Sequence, residues 1–399
     1  MTMTWEHCNK TAIVGVGATD YYPRGQSLPR TMYDLVGEAI MNACNDAGLN
    51  AKQIDGFAYY SSAMAGYTEA MDSADIMEML GIPEIGFTAT LTSGGGGSAG
   101  SVGLASAAII AGDANYVVTV MALQQNKGRL GTVFGDKPSD PINSFIQPSG
   151  LVGPGYLMSV VARRHMHLYG TRREAFAEVV MSQRANAVNR PTAVRRKPLT
   201  LDEYFSAPML ADPLCRLDFC LETDGAVAVI TTSAERAKDL KQKPVYVRAA
   251  HHGGCLEWGR AYTGMQMSDD YFATAGNKII AERLYAKAGL GPKDIDVAQI
   301  YDHFSPMVLM QLEDYGFCER GEGGPFVESG ALRYGTGSLP VNTHGGQLSE
   351  AYIIGMTHIR EAVEQLRGTA VNQVDNAEIA LVTGGPATLP VSGLILQGE

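Results

Sequence analysis

The chain has 399 residues, 45% apolar and 18% charged, with 31 Lys and Arg against 42 Asp and Glu, for a net charge of −11. This composition excludes an unfolded or fibrous chain and suffices for two or three domains. The acidity argues against a nucleic-acid protein, which carries a basic face. No run approaches the roughly 18 apolar residues of a membrane span, and the start MTMTWEHCNK lacks the apolar segment of a secretory signal, so a cytoplasmic protein without a membrane partner is expected. The six cysteines, Cys8, Cys44, Cys215, Cys220, Cys255 and Cys318, form no CxxC pair and read as free, buried thiols.

In chain order, residues 43–60 (ACNDAGLNAKQIDGFAYY) predict a helix ended by a glycine cap, a short polar turn and a buried strand. Residues 94–112 run from GGGG into a small-residue helix, and YVVTVMA at 116–122 predicts the next strand. Residues 123–215 read as an inserted cap, in which ARRHMHLYGTRREAFAEVV predicts one amphipathic helix followed by NAVNRPTAVRRKP. Its basic runs, Arg163-Arg164, Arg172-Arg173 and Arg195-Arg196-Lys197, read either as a solvated face or as a site for a phosphorylated cofactor tail; Arg184 stands alone. Residues 284–301 (LYAKAGLGPKDIDVAQIY) then repeat the first unit: Ala47-Gly48-Leu49 matches Ala288-Gly289-Leu290, Ile54-Asp55 matches Ile295-Asp296, and Tyr60 matches Tyr301. Residues 342–367 run from NTHGG into a second helix, and IALVTGG at 379–385 closes a second copy. A duplicated α/β fold is expected. The boundaries are 1–122 with 216–240 for the first half, 123–215 for the cap, and 241–399 for the second half.

The segments AIVGVGATDY, TDGAVAVITTSAERA, YDHFS, NTHGGQLSEAYIIG and LVTGGPA resemble the thiolase superfamily. LEDYGFCERGEGGPFVESG and LPVNTHGG are similar to its sterol-carrier-protein-type branch. That resemblance implies two βαβαβαββ halves forming a five-layered αβαβα architecture with an inserted loop region.

The departures from the family carry the chemistry. A thiolase needs a thiolate at the start of its small-residue helix to attack the acyl thioester. Counted back from Gly112-Asp113-Ala114, that position is Gly95, and no cysteine lies from 45 to 214. The second thiolase cysteine falls near Val382, and the activating histidine, six residues after Gly346, becomes Tyr352. His303, in Tyr301-Asp302-His303-Phe304, sits in the motif that in thiolases helps form the oxyanion hole. Gly345, Gly346, Gly384 and Gly385, together with His344, are candidates to contact the thioester.

Chemistry that needs an enolate but no thiolate is retro-aldol cleavage of a β-hydroxyacyl-CoA. The resemblance narrows to the steroid side-chain-cleaving aldolases of this branch, which lack the cysteine. It implies Tyr352, Tyr301 and His303 as catalytic residues, with His303 or a helix N-terminus helping a tyrosine to ionise. The substrate implied is a 17-hydroxy steroid acyl-CoA, cleaved to a 17-ketosteroid and propionyl-CoA with no permanently bound cofactor or metal. The glycine run 93–98 is expected to make room for the steroid rings. A homodimer pairing through strand 116–122, with a small OB-fold domain of a hydratase as partner, is also implied. Two alternatives stay open: a non-catalytic acyl-CoA-binding subunit, and an acyltransferase using Ser93 or Ser98. Tyr60, His358, the pair His251-His252 and Cys318 read as packing or surface residues.

Overall fold

The computed structural model describes residues 5–61, 71–92, 94–125, 144, 147–151, 153–254, 272–386 and 390–399. In the first half, strand β1 (Thr11–Ala18) leads to helix α1 (Met32–Ala47). The helix is opened by a capping box between Thr31 and Asp34 and closed by Gly48 at φ 76°. Strand β2 (Gly56–Ser61), helix α2 (Ser73–Leu80), strand β3 (Phe87–Thr92), helix α3 (Gly97–Ala111) and strand β4 (Tyr116–Leu123) follow.

The amphipathic run that the sequence predicts as one helix forms two. Helix α4 (Pro154–Tyr169) ends at Gly170 with φ 71°, and helix α5 (Arg173–Val188) starts anew. A left-handed residue cannot continue a right-handed helix, so the glycine divides the amphipathic run. Strand β5 (Thr223–Ser233) returns the chain to the first half, pairing antiparallel with both β1 and β4.

The second half holds strand β6 (Val245–Gly253), helix α6 (Lys278–Ala288), strand β7 (Val297–Gln299), helix α7 (Ser305–Asp314), helix α8 (Met356–Arg367), strand β8 (Ile379–Gly384) and strand β9 (Val391–Gln397). The repeat is visible atom by atom. Both α1 and α6 end on a left-handed glycine, Gly48 and Gly289, and each is followed by a single 3₁₀ turn before β2 or β7. The matched aspartates do the same work. Asp55 accepts from the N–H groups of Asn115 and Tyr116 at the head of β4, and Asp296 accepts from those of Glu378 and Ile379 at the head of β8.

The strand path runs β7-β8-β9-β6-β1-β5-β4-β2-β3, with Tyr22–Pro23 adding a tenth short strand beside β5. Among the described residues, the two halves of the sheet pair through Ala12–Tyr246 and Ile13–Val245, between β1 and β6. Helices α3 and α8 each pack against strands of both halves, while α1 covers the outer face of the first and α6 that of the second. Layers therefore run helix, sheet, helix, sheet, helix, the expected αβαβα order.

Strand 116–122 does not lie at an edge. It sits between β2 and β5, and the outermost strand of the first half among the described residues is β3. Burial explains the difference: β4 is apolar along nearly its whole length because it is covered on both faces, which makes it a central strand. Among the described residues, no helix is long and apolar enough to cross a membrane.

Candidate active site

Three tyrosines converge where the two halves meet. Tyr301, just past β7, is 1% exposed; Tyr60, in β2, is fully buried; Tyr352, between α7 and α8, is 9% exposed. The phenols of Tyr301 and Tyr352 share a hydrogen bond, and both interact electrostatically with Tyr60. The glycine run makes this convergence possible. A Cβ on Gly95 would lie 2.2 Å from Tyr301 Cζ and 2.5 Å from its Oη, and a Cβ on Gly97 would lie 2.2 Å from Tyr60 Cε2. Room made at Gly95 and Gly97 is thus filled by the protein's own aromatic rings and not by a steroid. This corrects the expectation for residues 95 and 97; Ser93 lies outside the described residues.

Both tyrosines of the hydrogen-bonded pair are pinned by their backbones. The Tyr301 N–H donates to Thr383 Oγ1 at 2.9 Å, its carbonyl accepts from Gln311 Nε2 at 2.7 Å, and Thr383 donates to Gln311 at 2.6 Å. The Tyr352 N–H donates to Thr223 Oγ1 at 2.9 Å, and the same hydroxyl donates to the Tyr352 carbonyl at 3.1 Å. Tyr352 owes its position to a break in the helix predicted over 342–367. One helical turn, Gly346–Ser349, stops, and α8 starts only at Met356; Ile354 at φ 44° and Gly355 at φ 84° make the corner.

Burial governs the protonation states. It raises the Tyr301 phenol well above the ordinary value of 10, and Tyr352 and Tyr60 raise it further, so Tyr301 is a neutral donor. His303 lies 5.3 Å from Tyr301, ring centre to ring centre, and burial pushes its pKa down to about 3. It is a neutral imidazole and supplies no positive charge to a tyrosinate, contrary to expectation. Neither His303 nitrogen has a hydrogen-bond partner among the described residues. His344 is likewise fully buried, pushed well below the usual histidine value by burial and by His358, and stacked edge-on to His358 at 4.9 Å.

The remaining glycine candidates divide. A Cβ on Gly384 would lie 3.0 Å from the Gly95 carbonyl and 2.5 Å from Ser392 Oγ, so Gly384 abuts the tyrosine cluster; Gly385 follows at φ 69°. Gly345 and Gly346 face elsewhere. The Gly345 N–H is spent on the Asn342 carbonyl, and its Cα faces Ala187 of α5. Gly346 packs within 2.2 Å of Asp302 Oδ2, counted from where a Cβ would stand. Gly346 thus packs against the Asp302 carboxylate, which accepts from the N–H groups of Gln347 and Leu348. Ser98 is buried, with its hydroxyl donated to the Gly95 carbonyl at 3.0 Å. Burial pushes the Cys318 thiol up to about 12, away from thiolate character. Val382 lies fully buried in β8. Cys255 is outside the described residues.

Residues 259–396 match the family described as Thiolase C-terminal domain-like. The chain is 40% identical, over 97% of its length and 99% of the relative's, to a 17-hydroxy-3-oxo-4-pregnene-20-carboxyl-CoA lyase of Mycobacterium tuberculosis. The chain belongs to the thiolase superfamily, in the branch of the steroid side-chain-cleaving aldolases. A steroid side-chain-cleaving aldolase of Thermomonospora curvata is 36% identical over 97% of this chain and 98% of its own. A solved structure titled Ltp2-ChsH2(DUF35) aldolase superposes with a TM-score of 0.90 at 36% identity, covering 98% of both chains.

Within this thiolase-like site, three features escaped the sequence. Tyr60 was signalled only by its repeat match to Tyr301. His358 is not a surface residue: it is fully buried, with Nε2 3.0 Å from both Asp302 Oδ1 and the Ile300 carbonyl, so it brackets the strand end that carries Tyr301. The third is a buried ion network beneath Tyr352. Arg190 pairs with Glu350 at 2.8 Å, Glu361 at 3.1 Å and Glu364 at 2.7 Å, joining the cap to both sides of the helix break. In the basic runs of the cap, three residues pair at the surface: Arg163 with Asp212, Arg172 with Glu328, and Lys197 with Glu203 at 3.7 Å. Arg184 is different. It is buried, donates to Ser349 Oγ at 2.9 Å, leaves Nη2 without a partner among the described residues, and is pushed down to about 10 by burial and by Arg195.

Proposed function

We propose that the chain is a carbon–carbon lyase that cleaves a 17-hydroxy steroid acyl-CoA by retro-aldol chemistry, giving a 17-ketosteroid and propionyl-CoA with no covalent acyl-enzyme. The observation that carries this reading is the Tyr301 phenol standing in the space of the missing nucleophile, hydrogen-bonded to Tyr352. Retro-aldol cleavage is neutral in protons: one leaves the hydroxyl oxygen and one returns to the α-carbon. Tyr352, the phenol nearest the surface, takes the hydroxyl proton as it passes its own to Tyr301. The β-carbon becomes a carbonyl, the Cα–Cβ bond breaks, and its electron pair forms the enolate of the shortened thioester. Tyr301 delivers a proton to the enolate α-carbon. Neither phenol has to be ionised beforehand, which suits a group whose proton burial holds so firmly.

His303 donates an N–H to the enolate oxygen; a neutral imidazole with no competing protein partner fits that task. Asp302 and His358 position the segment through the contacts described above. The anionic tail of coenzyme A lies toward Arg184, Arg195 and Arg216, whose mutual repulsion an anion relieves. The working assembly in this reading is a homodimer formed through β3, whose outer edge is unpaired among the described residues, carrying a small OB-fold domain of a hydratase on each protomer.

The test is incubation of the full chain with a 17-hydroxy steroid acyl-CoA, with and without the OB-fold partner, followed by mass spectrometry. Ketosteroid and propionyl-CoA in equal amounts are expected. Bound but uncleaved thioester in both samples would leave a binding subunit instead, and an acyl adduct on the protein would point to an acyltransferase.

A further inference from the structure

The repeat places a tyrosine at the same point of each half, and both rings enter the same turn. Tyr301 fills the notch at Gly95 and Tyr60 the notch at Gly97, two residues along. Tyr60 is fully buried, and its hydroxyl donates to the Gly94 carbonyl at 2.7 Å. The same carbonyl accepts from the Gly97 N–H at 3.0 Å, and the Gly95 carbonyl accepts from Ser98 Oγ at 3.0 Å. Four glycines in succession have no side chains to hold a conformation, so the turn depends on these bonds.

We propose that Tyr60 is a positioning residue of the cleavage site: through the Gly94 carbonyl it fixes the glycine turn, and the turn fixes how deep the Tyr301 ring sits and where its hydroxyl meets Tyr352. Tyr60 touches neither reacting atom in this scheme; it acts through Tyr301 and Tyr352. The glycine run is therefore a socket for two rings, one from each half. Any side chain at residue 95 or 97 removes one of them. The assignment of Tyr60 to catalysis rests on the retro-aldol reading, whereas its hold on the turn does not.

The experiment compares wild type, Tyr60→Phe, Tyr352→Phe and the double variant in the full chain with its partner. Tyr60→Phe keeps the ring that fills the notch and removes only the hydroxyl. Expected is a kcat loss of about tenfold, the worth of one hydrogen bond, with KM within about twofold. In the Tyr352→Phe background the same change is expected to cost less than about twofold, because residues acting as a unit are not additive. Hydrogen exchange in the 94–98 segment is expected to quicken about tenfold without the bond. A kcat within about twofold of wild type, or an undiminished loss in the Tyr352→Phe background, would overturn the catalytic role. Unchanged exchange at 94–98 would overturn the hold on the turn. Should the wild type not cleave the thioester at all, the retro-aldol reading falls and the catalytic role of Tyr60 with it, while exchange still decides the structural part.

Discussion

The two halves carry the same elements to the site and do opposite things there. In the first, the glycine run passes straight into α3, whose buried face is mostly Gly, Ala and Ser, with Val102 and Ile109. In the second, the matching NTHGG run gives one helical turn, breaks over residues 350–355, and only then resumes as α8. The first half has cleared side chains from its turn at residues 94–97, and the second projects Tyr301 from its strand end into the notch at Gly95, where it meets Tyr352 from the break. A duplicated scaffold can change chemistry this way without changing fold, since the strand order and the layer order are kept.

The sharpest way to break that comparison is at the phenol the second half contributes. Tyr352→Phe keeps the ring and removes the proton carrier, so the cleavage rate is expected to fall by about 10²–10⁴ with little change in melting temperature. A rate within about tenfold of wild type is what one lost ordinary hydrogen bond explains, and would move the proton transfer to Tyr301 and His303.

Next in size is the network that supports the break. Arg190→Ala leaves Glu350 and Glu361 buried without their shared cation, while Glu364, half-buried, keeps Arg360. Removing one partner of a buried pair costs about 3–5 kcal/mol, readable as a lower urea midpoint with an unchanged m-value. A loss below about 1 kcal/mol would show that the pairs behave as surface ion pairs.

Filling the empty half is the third test. Gly95→Cys drives a side chain into the Tyr301 ring, and such overpacking costs about 1–3 kcal/mol. It is expected to lower the cleavage rate and to yield no thiolysis, because the space and the activating histidine are both gone. Thiolysis by this variant would mean that residue 95 is not the nucleophile position.

The smallest effect is a pH slope. Burial raises the Glu361 carboxyl to about 7, opposed by Arg190. The folded protein then holds this proton more tightly than the unfolded chain does. Its contribution to stability is full below about pH 4.5 and is lost as the pH rises through about 7, by at most about 1.4 kcal/mol per unit. Glu361→Gln is expected to flatten the fall in stability between those values. A residual slope should remain from Asp314, whose carboxyl burial also raises to about 7. An unchanged slope would mean that Glu361 is already ionised in the folded protein at pH 5.

Much of this was readable from the chain alone, and for a local reason. Gly48 and Gly289 end helices because glycine adopts a left-handed conformation cheaply, and Asp55 and Asp296 recur because the heads of two strands need the same acceptors. The repeat therefore survives as residue identities at fixed spacing, and with it the alignment that puts Gly95 where a cysteine was expected and Tyr352 where a histidine was. What only the tertiary structure decided is what lies opposite those residues. The space at Gly95 belongs to Tyr301 and not to a ligand, His303 is neutral because the surrounding protein excludes water, and His358 is held by Asp302, 56 positions away in the chain. Strand 116–122 is interior because β2 and β5 flank it. Spacing along a chain records which conformations its residues adopt, whereas protonation, occupancy and edge or centre depend on which distant segments arrive beside them.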